Sequence, residues 1–272
     1  MSTSGKNSEP LRPSTRGKIE FPYFFSSEER SVHVVAEITD EPGALSSLLS
    51  RLAARVNLIG TSSYSLDGNR AVFSAFGRLL TSTDSAKSIR SLTLEAPSVQ
   101  SCLVWQDNQG LLVDRYHYGL QSGTGERYVM QPVDALGSTF DALVRIFGSG
   151  AEVILYNQGV EYARSRWAGI KKVFGPHPET RLEEVAALVR AMGWAESTIV
   201  HDPKTGVVKC VNTECFECSS PTQDHRGCSF LRGMAVGLAE GIFGRQMTSV
   251  ETRCIKKGDE VCEFVLTPRL NN

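Results

Sequence analysis

The chain has 272 residues, enough for two ordinary domains. Lys and Arg number 29 against 30 Asp and Glu, a net charge of -1, so nothing in the charge favours nucleic acid or an anionic membrane as a partner. Apolar residues make up 41%, as in soluble globular proteins, and no apolar run is long enough to span a bilayer.

Residues 1–29 begin MSTSGKNSEPLRPSTRGK, polar and rich in Pro, Ser and basic residues. Without the apolar core of an export signal, this stretch reads as a disordered tail on a cytoplasmic protein. The odd cysteine count, seven, then argues for thiols or metal ligands over a disulfide framework.

The first regular stretch, VHVVAEI at 32–38, is strand-like. In the following TDEPGAL, Asp40 is a candidate N-cap and Pro42 suits a first turn. Leu45, Leu48, Leu49, Leu52, Ala53 and Val56 then form a helical stripe. Two strand-like runs, Leu58 to Leu66 and Arg70 to Phe76, flank the turn Asp67-Gly68-Asn69. A helix from Asp84 to Leu94 and a strand from Val99 to Trp105 complete the order β-α-β-β-α-β, a ferredoxin-like split unit. Cys102 on the last strand reads as a small core residue.

This order, with Asp-Glu-Pro-Gly-Ala-Leu opening the first helix, resembles an ACT domain over roughly residues 30–106. The resemblance implies pairing of two copies through their sheets. It also implies an amino-acid or other small effector at the loop holding Asp40, Pro42 and Gly43. N-cap chemistry alone also accounts for these residue types.

Residues 107–123 read as a linker carrying one short strand. A second unit follows over 124–267, with a tail at 268–272. It opens on a strand from Tyr128 to Gln131. Asp134 then caps a helix bearing Leu136, Phe140, Leu143, Val144 and Phe147. A helix from about Ala151 to Phe174 carries Tyr156, Val160, Ala163, Trp167, Ile170 and Val173, and a third runs from about Pro178 to Met192. Tyr156 and Trp167 suit a core stripe or the wall of a pocket for an apolar ligand. Trp194 to His201 and Gly206 to Phe216 form a hairpin.

Six of the seven cysteines lie between 210 and 262. Cys228 stands at the start of an amphipathic helix to Phe243, where free N–H groups favour a thiolate. Its apolar stripe is Leu231, Met234, Ala235, Leu238 and Ile242. Cys254 and Cys262 are each four residues from Gly258, so a symmetric hairpin sets them opposite one another, close enough to share a metal. Three thiolates leave tetrahedral zinc one ligand short. Glu251 and His225 are the nearest candidates, and Glu251 qualifies only if its strand bulges or breaks before Cys254.

The run GCSFLRGMAVGLAEGIFGRQMTSVETRCIKKGDEVCEFVL resembles the 4-vinyl-reductase domain, over roughly 124–267. The resemblance implies an α/β fold related to ligand-binding domains of nitric-oxide signalling and Golgi transport. It also implies a structural zinc on Cys228, Glu251, Cys254 and Cys262. Phe216 lies nearest the place of a ligand-touching aromatic in phenol-sensing members, and Tyr156, Trp167 and Phe230 are further pocket candidates. Cys210, Cys215 and Cys218 form a second group. Their spacing is that of three ligands of a plant-type two-iron iron–sulfur cluster, and equally of structural, redox or second-metal thiols.

The expected function is that of a non-enzymatic sensor, dimeric in the ACT manner, that binds a small effector and signals through a partner protein or oligomer. The alternatives are an enzyme or accessory factor of tetrapyrrole vinyl reduction, and a redox or iron–sulfur sensor. No dinucleotide fingerprint or nucleophile–base pair is readable. His33, His117, His177 and His201 have no partners at motif spacing and read as surface or hydrogen-bonded residues.

Overall fold

The computed structural model describes residues 24–26, 30–108, 111–122, 125–219 and 227–269. The architecture is mixed α/β with antiparallel sheets, in two compact units, Met1–Tyr118 and Gly119–Asn272.

The first unit contains β1 (Phe24–Ser26), β2 (Ser31–Thr39), α1 (Ala44–Leu52), β3 (Val56–Asp67), β4 (Arg70–Leu79), α2 (Ala86–Leu94), β5 (Val99–Asp107) and β6 (Leu111–Val113). Four strands pair in the order β3-β4-β2-β5, so β2 is central and buried on both faces. One face, carrying Val32, Val34, Ala36 and Ile38, packs with Leu48 and Leu52 of α1 and Ile89 of α2. On the other, His33 lies across from Phe76 and Trp105. Leu112 of β6 joins Phe76, Trp105 and Ile59 in a small second core.

Several local expectations change. The stretch read as tail contributes β1, which pairs with β6 from the stretch read as linker. Asp40 does not cap α1. The N-cap is Gly43 at φ 94°, a left-handed conformation that favours glycine, and Asp40 instead accepts a hydrogen bond from Ser65 Oγ at 2.6 Å. The cap of α2 is Ser85, in a reciprocal capping box with Ser88, while Asp84 is buried and ion-paired with Arg55 at 3.1 Å.

The second unit contains β7 (Leu120–Gln121), β8 (Arg127–Tyr128), α3 (Val133–Phe147), α4 (Gly150–Phe174), α5 (Leu182–Ala191), β9 (Glu196–His201), β10 (Val208–Thr213), α6 (Phe216–Ser219), α7 (Ser229–Phe243), β11 (Met247–Arg253) and β12 (Cys262–Pro268). The expected strand to Gln131 shortens because the chain enters α3 from Pro132, whose fixed φ suits a helix start; Asp134 falls within the first turn. The third helix begins at Leu182, after a 3₁₀ turn at Pro178–Thr180. Phe216 opens α6 instead of ending a strand.

The sheet order is β11-β12-β10-β9. Alternation puts Cys262, Phe264 and Leu266 on the buried face, level with Asn212, Cys210 and Val208 of β10. α7 runs along α4 at backbone contact. A Cβ at Gly159 would strike the Phe230 carbonyl, one at Gly233 the Tyr156 carbonyl, and one at Gly237 the Val160 carbonyl. Small residues here let the two helices meet without intervening side chains, so a methyl group must push them apart. Gly233→Ala is expected to cost about 2–3 kcal/mol, measured as a lowered urea midpoint of the C-terminal unit.

Candidate functional site

Five of the six clustered cysteines converge. β10 ends at Thr213, and Glu214 adopts φ 50°, the only non-glycine residue with positive φ among the described residues. This turn takes Cys215 out of strand alternation and starts α6, which carries Cys218. The Sγ of Cys218 lies 3.3 Å from those of both Cys228 and Cys262, and 3.8 Å from that of Cys254. Cys228 Sγ is 3.5 Å from the Sγ of Cys215 and of Cys262. Cys215, Cys218, Cys228 and Cys262 form one group of metal-ligand spacing, and Cys228, Glu251 and Cys254 form another that shares Cys228.

The second cysteine group is therefore not a separate site: Cys215 and Cys218 join Cys228 and Cys262. Cys210 stays apart. It is buried in β10 opposite Phe264 and Ile199, and burial pushes its thiol up to about 12. The three-thiol set of a plant-type cluster is consequently not brought together.

The hairpin supplies its two sulfurs through a tight turn. Cys254 N donates to Asp259 Oδ2 at 2.8 Å, while the Cys254 carbonyl accepts from Lys257 N at 2.9 Å and Asp259 N at 3.2 Å. A 3₁₀ turn at Ile255–Lys257 ends on Gly258 at φ 98°. Ile255 N donates to Cys262 Sγ at 3.5 Å, a contact that favours sulfur in its anionic form. The strand bulges between Glu251 and Arg253, so Glu251 comes to the same cluster as Cys254. Its Oε1 accepts the Cys228 N–H at 2.9 Å and its Oε2 lies 3.3 Å from Lys257 Nζ. His225 lies outside the described residues.

One further acid was missed by the sequence reading. Glu217, on α6 between the two new cysteines, is 4% exposed and accepts the N–H of Phe230 at 3.1 Å and of Leu231 at 2.6 Å. It does what no side chain at Cys228 does, since that N-cap makes no capping bond. The negative charge also suits the positive end of α7. An acid flanked by two metal-ligand residue types was the available signal.

Hydrogen bonds from Cys215, Cys228, Cys254 and Cys262 hold the Cys218 thiol well below the usual range, and the donors Cys228 and Cys262 are correspondingly raised. Tetrahedral bonds of ~2.3 Å place sulfurs roughly 3.8 Å apart, so the observed spacings fit four thiolates on one ion after a small expansion.

Next to the cluster is an apolar pocket of about 480 Å³, open solvent included, between α5, α7 and the sheet. Val185, Val189, Met234, Leu238, Cys210 and Phe264 line it, with Ser197 and Asn212 as its polar edge. Ser197 Oγ donates to Asn212 Oδ1 at 2.7 Å, and Asn212 Nδ2 donates to the Cys262 carbonyl at 3.3 Å. The pocket candidates named from sequence do not line it. Phe216 and Phe230 sit in an aromatic cluster with Phe140, Tyr162 and Trp194. Tyr156 lies under Arg232, and Trp167 packs where a side chain at Gly241 would be.

In the first unit, Asp40, Pro42 and Gly43 form an exposed loop. The histidines are less isolated than they read: His33 and His117 meet at Asp114.

Residues 210–268 match the 4-vinyl-reductase domain family. An uncharacterized protein of Methanocaldococcus jannaschii is 26% identical over 123 residues, 44% of this chain and 66% of that protein. Among solved structures, the phenol-responsive sensory domain of the transcription activator PoxR with phenol has TM-score 0.46 at 19% identity, covering 53% of this chain and 78% of that one. A vinyl-4-reductase family protein of M. jannaschii has TM-score 0.31 at 17% identity, covering 53% and 99%. An H-NOX protein from S. oneidensis has TM-score 0.39 at 12% identity, covering 54% and 81%.

Glu217→Gln keeps the shape of the cap but removes its charge. It is expected to lower stability by about 1–2 kcal/mol, read as a shifted denaturation midpoint, while all five thiols still react with a thiol reagent in the unfolded chain.

Proposed function

We propose that the C-terminal unit is a small-molecule receptor whose apolar ligand lies between α5, α7 and the sheet, and whose thiol cluster holds a structural zinc ion. The pocket carries this reading: an apolar chamber whose polar edge, Ser197 and Asn212, is hydrogen-bonded to the backbone of Cys262. The family match over 210–268 supports it, because that stretch includes β10, α7 and the hairpin that build the chamber. A small aromatic compound such as a phenol fits the lining, with Ser197 or Asn212 as partner for one polar group.

Cys228, Cys254 and Cys262 supply three of the zinc ligands. Sulfur spacing favours Cys218 as the fourth; the domain resemblance implies Glu251, which here already binds the Cys228 N–H. With four protein ligands the ion has no open position for water, so its role is to fix α7 against the hairpin. Cobalt(II) in place of zinc separates the two sets. Loss of the sulfur-to-cobalt absorption in Cys218→Ser, with little change in Glu251→Gln, is the expected result; the reverse pattern restores Glu251 as ligand.

The N-terminal unit is read as a ferredoxin-like ACT-type module. Its loop Asp40–Gly43 would take a small effector such as an amino acid, and its sheet edges would pair two copies as a homodimer. Output then passes to a regulatory partner protein.

A thermal-shift screen of phenols and amino acids tests the receptor reading. Ligand bound only by the native state raises the melting temperature. A phenol is expected to stabilise the protein, and Ala235→Phe, which fills the pocket, to abolish that shift without loss of metal. A shift left intact by this substitution would place the ligand elsewhere.

A further inference from the structure

We propose that His33, Asp114 and His117 form a second metal site, in the N-terminal unit, for a divalent first-row transition ion. The three side chains offer ligand atoms that all lie within 4.8 Å of one another. They come from two separate parts of the chain, the central strand β2 and the segment after β6, and converge on the back face of the sheet.

Asp114 is held for this purpose. Its Oδ1 accepts the backbone N–H of Tyr116 at 2.8 Å and of His117 at 2.9 Å, which turns Oδ2 toward both imidazoles. Oδ2 lies 2.7 Å from His117 Nδ1 and 4.0 Å from His33 Nε2. The longer gap is too wide for a hydrogen bond. It is close to the span of two ligands on either side of an ion ~2.1 Å from each.

The site is also built into the core. His33 has no exposed side-chain surface and Asp114 only 9%. The His33 ring stacks on Phe76 at 4.2 Å and on Trp105 at 5.3 Å, so its direction is fixed. Its Nε2 is otherwise met by Ser74 Oγ at 2.9 Å, a hydroxyl that can rotate away as an ion enters. Nδ1 of His33 and Nε2 of His117 are buried without a hydrogen-bond partner in the structure, so internal hydrogen bonding does not fully account for two imidazoles in this place. His117 is 22% exposed, which leaves the ion an approach from solvent. Two imidazoles and one carboxylate suit zinc, cobalt, nickel or ferrous iron, in contrast to the all-sulfur set of the other unit.

The two sites absorb differently, which allows a test on the full chain. Protein whose thiol cluster has been filled with zinc is titrated with cobalt(II). The expected outcome is one further equivalent, with weak visible bands and no sulfur-to-cobalt absorption. Asp114→Asn, which keeps the oxygen that holds the turn, and His117→Gln are each expected to weaken that equivalent at least tenfold, with the thiol-bound metal unchanged. Neither position belongs to the stacked core around His33, so both variants fold. Failure of the wild type to take a second equivalent, or its retention in both variants, overturns the site.

Discussion

Sulfur atoms 3.3 to 3.8 Å apart in a buried cluster place a strong demand on their surroundings. Thiols make weak hydrogen bonds, and adjacent thiolates repel one another in a medium that screens poorly. Such a group is stable with few ionised members or with a cation among them. The structure answers on every side of the cluster with donors: the Ile255 N–H at Cys262 Sγ, the Cys228 N–H held by Glu251, and the positive end of α7. The helix, the short α6 turn and the hairpin all depend on that convergence, because each contributes at least one sulfur.

The remaining scaffold brings the sulfurs together. α4 supports α7 through carbonyl-to-glycine contact, and Glu217 closes the start of α7 from the neighbouring turn. The bulge in β11 matters for a different reason. Strand alternation would send Glu251 and Cys254 to opposite faces, and the extra residue cancels that alternation over one step.

Where the reading from sequence succeeds, it rests on periodicity. The stripe of α7 and the symmetric spacing of Cys254 and Cys262 about Gly258 are local patterns, and both recur in the fold. The order of strands and helices in the first unit is legible for the same reason. Cys215 and Cys218 are misplaced because β alternation is carried past Thr213, whereas a single left-handed residue, Glu214, redirects the chain. No propensity marks Glu as the residue to adopt that conformation. The meeting of His33 with His117 is equally hidden: they are joined only by the pairing of β1 with β6 and by the small core around Leu112. The pocket escapes detection because its walls are the apolar residues that sequence periodicity assigns to packing.

The glycine contact between α4 and α7 also sets the mechanics of the chamber. Two helices that touch backbone to backbone share one surface, and neither can slide without lifting off the other. They act as a single stiff plate behind the chamber, while the sheet closes the opposite side. Room for a larger guest must therefore come from α5, which is linked to β9 by the Gly193 turn, or from the pliable thioether of Met234. Selectivity by size is thus written into a hinge and one side chain, while the stiff plate sets the limit against which both adjust.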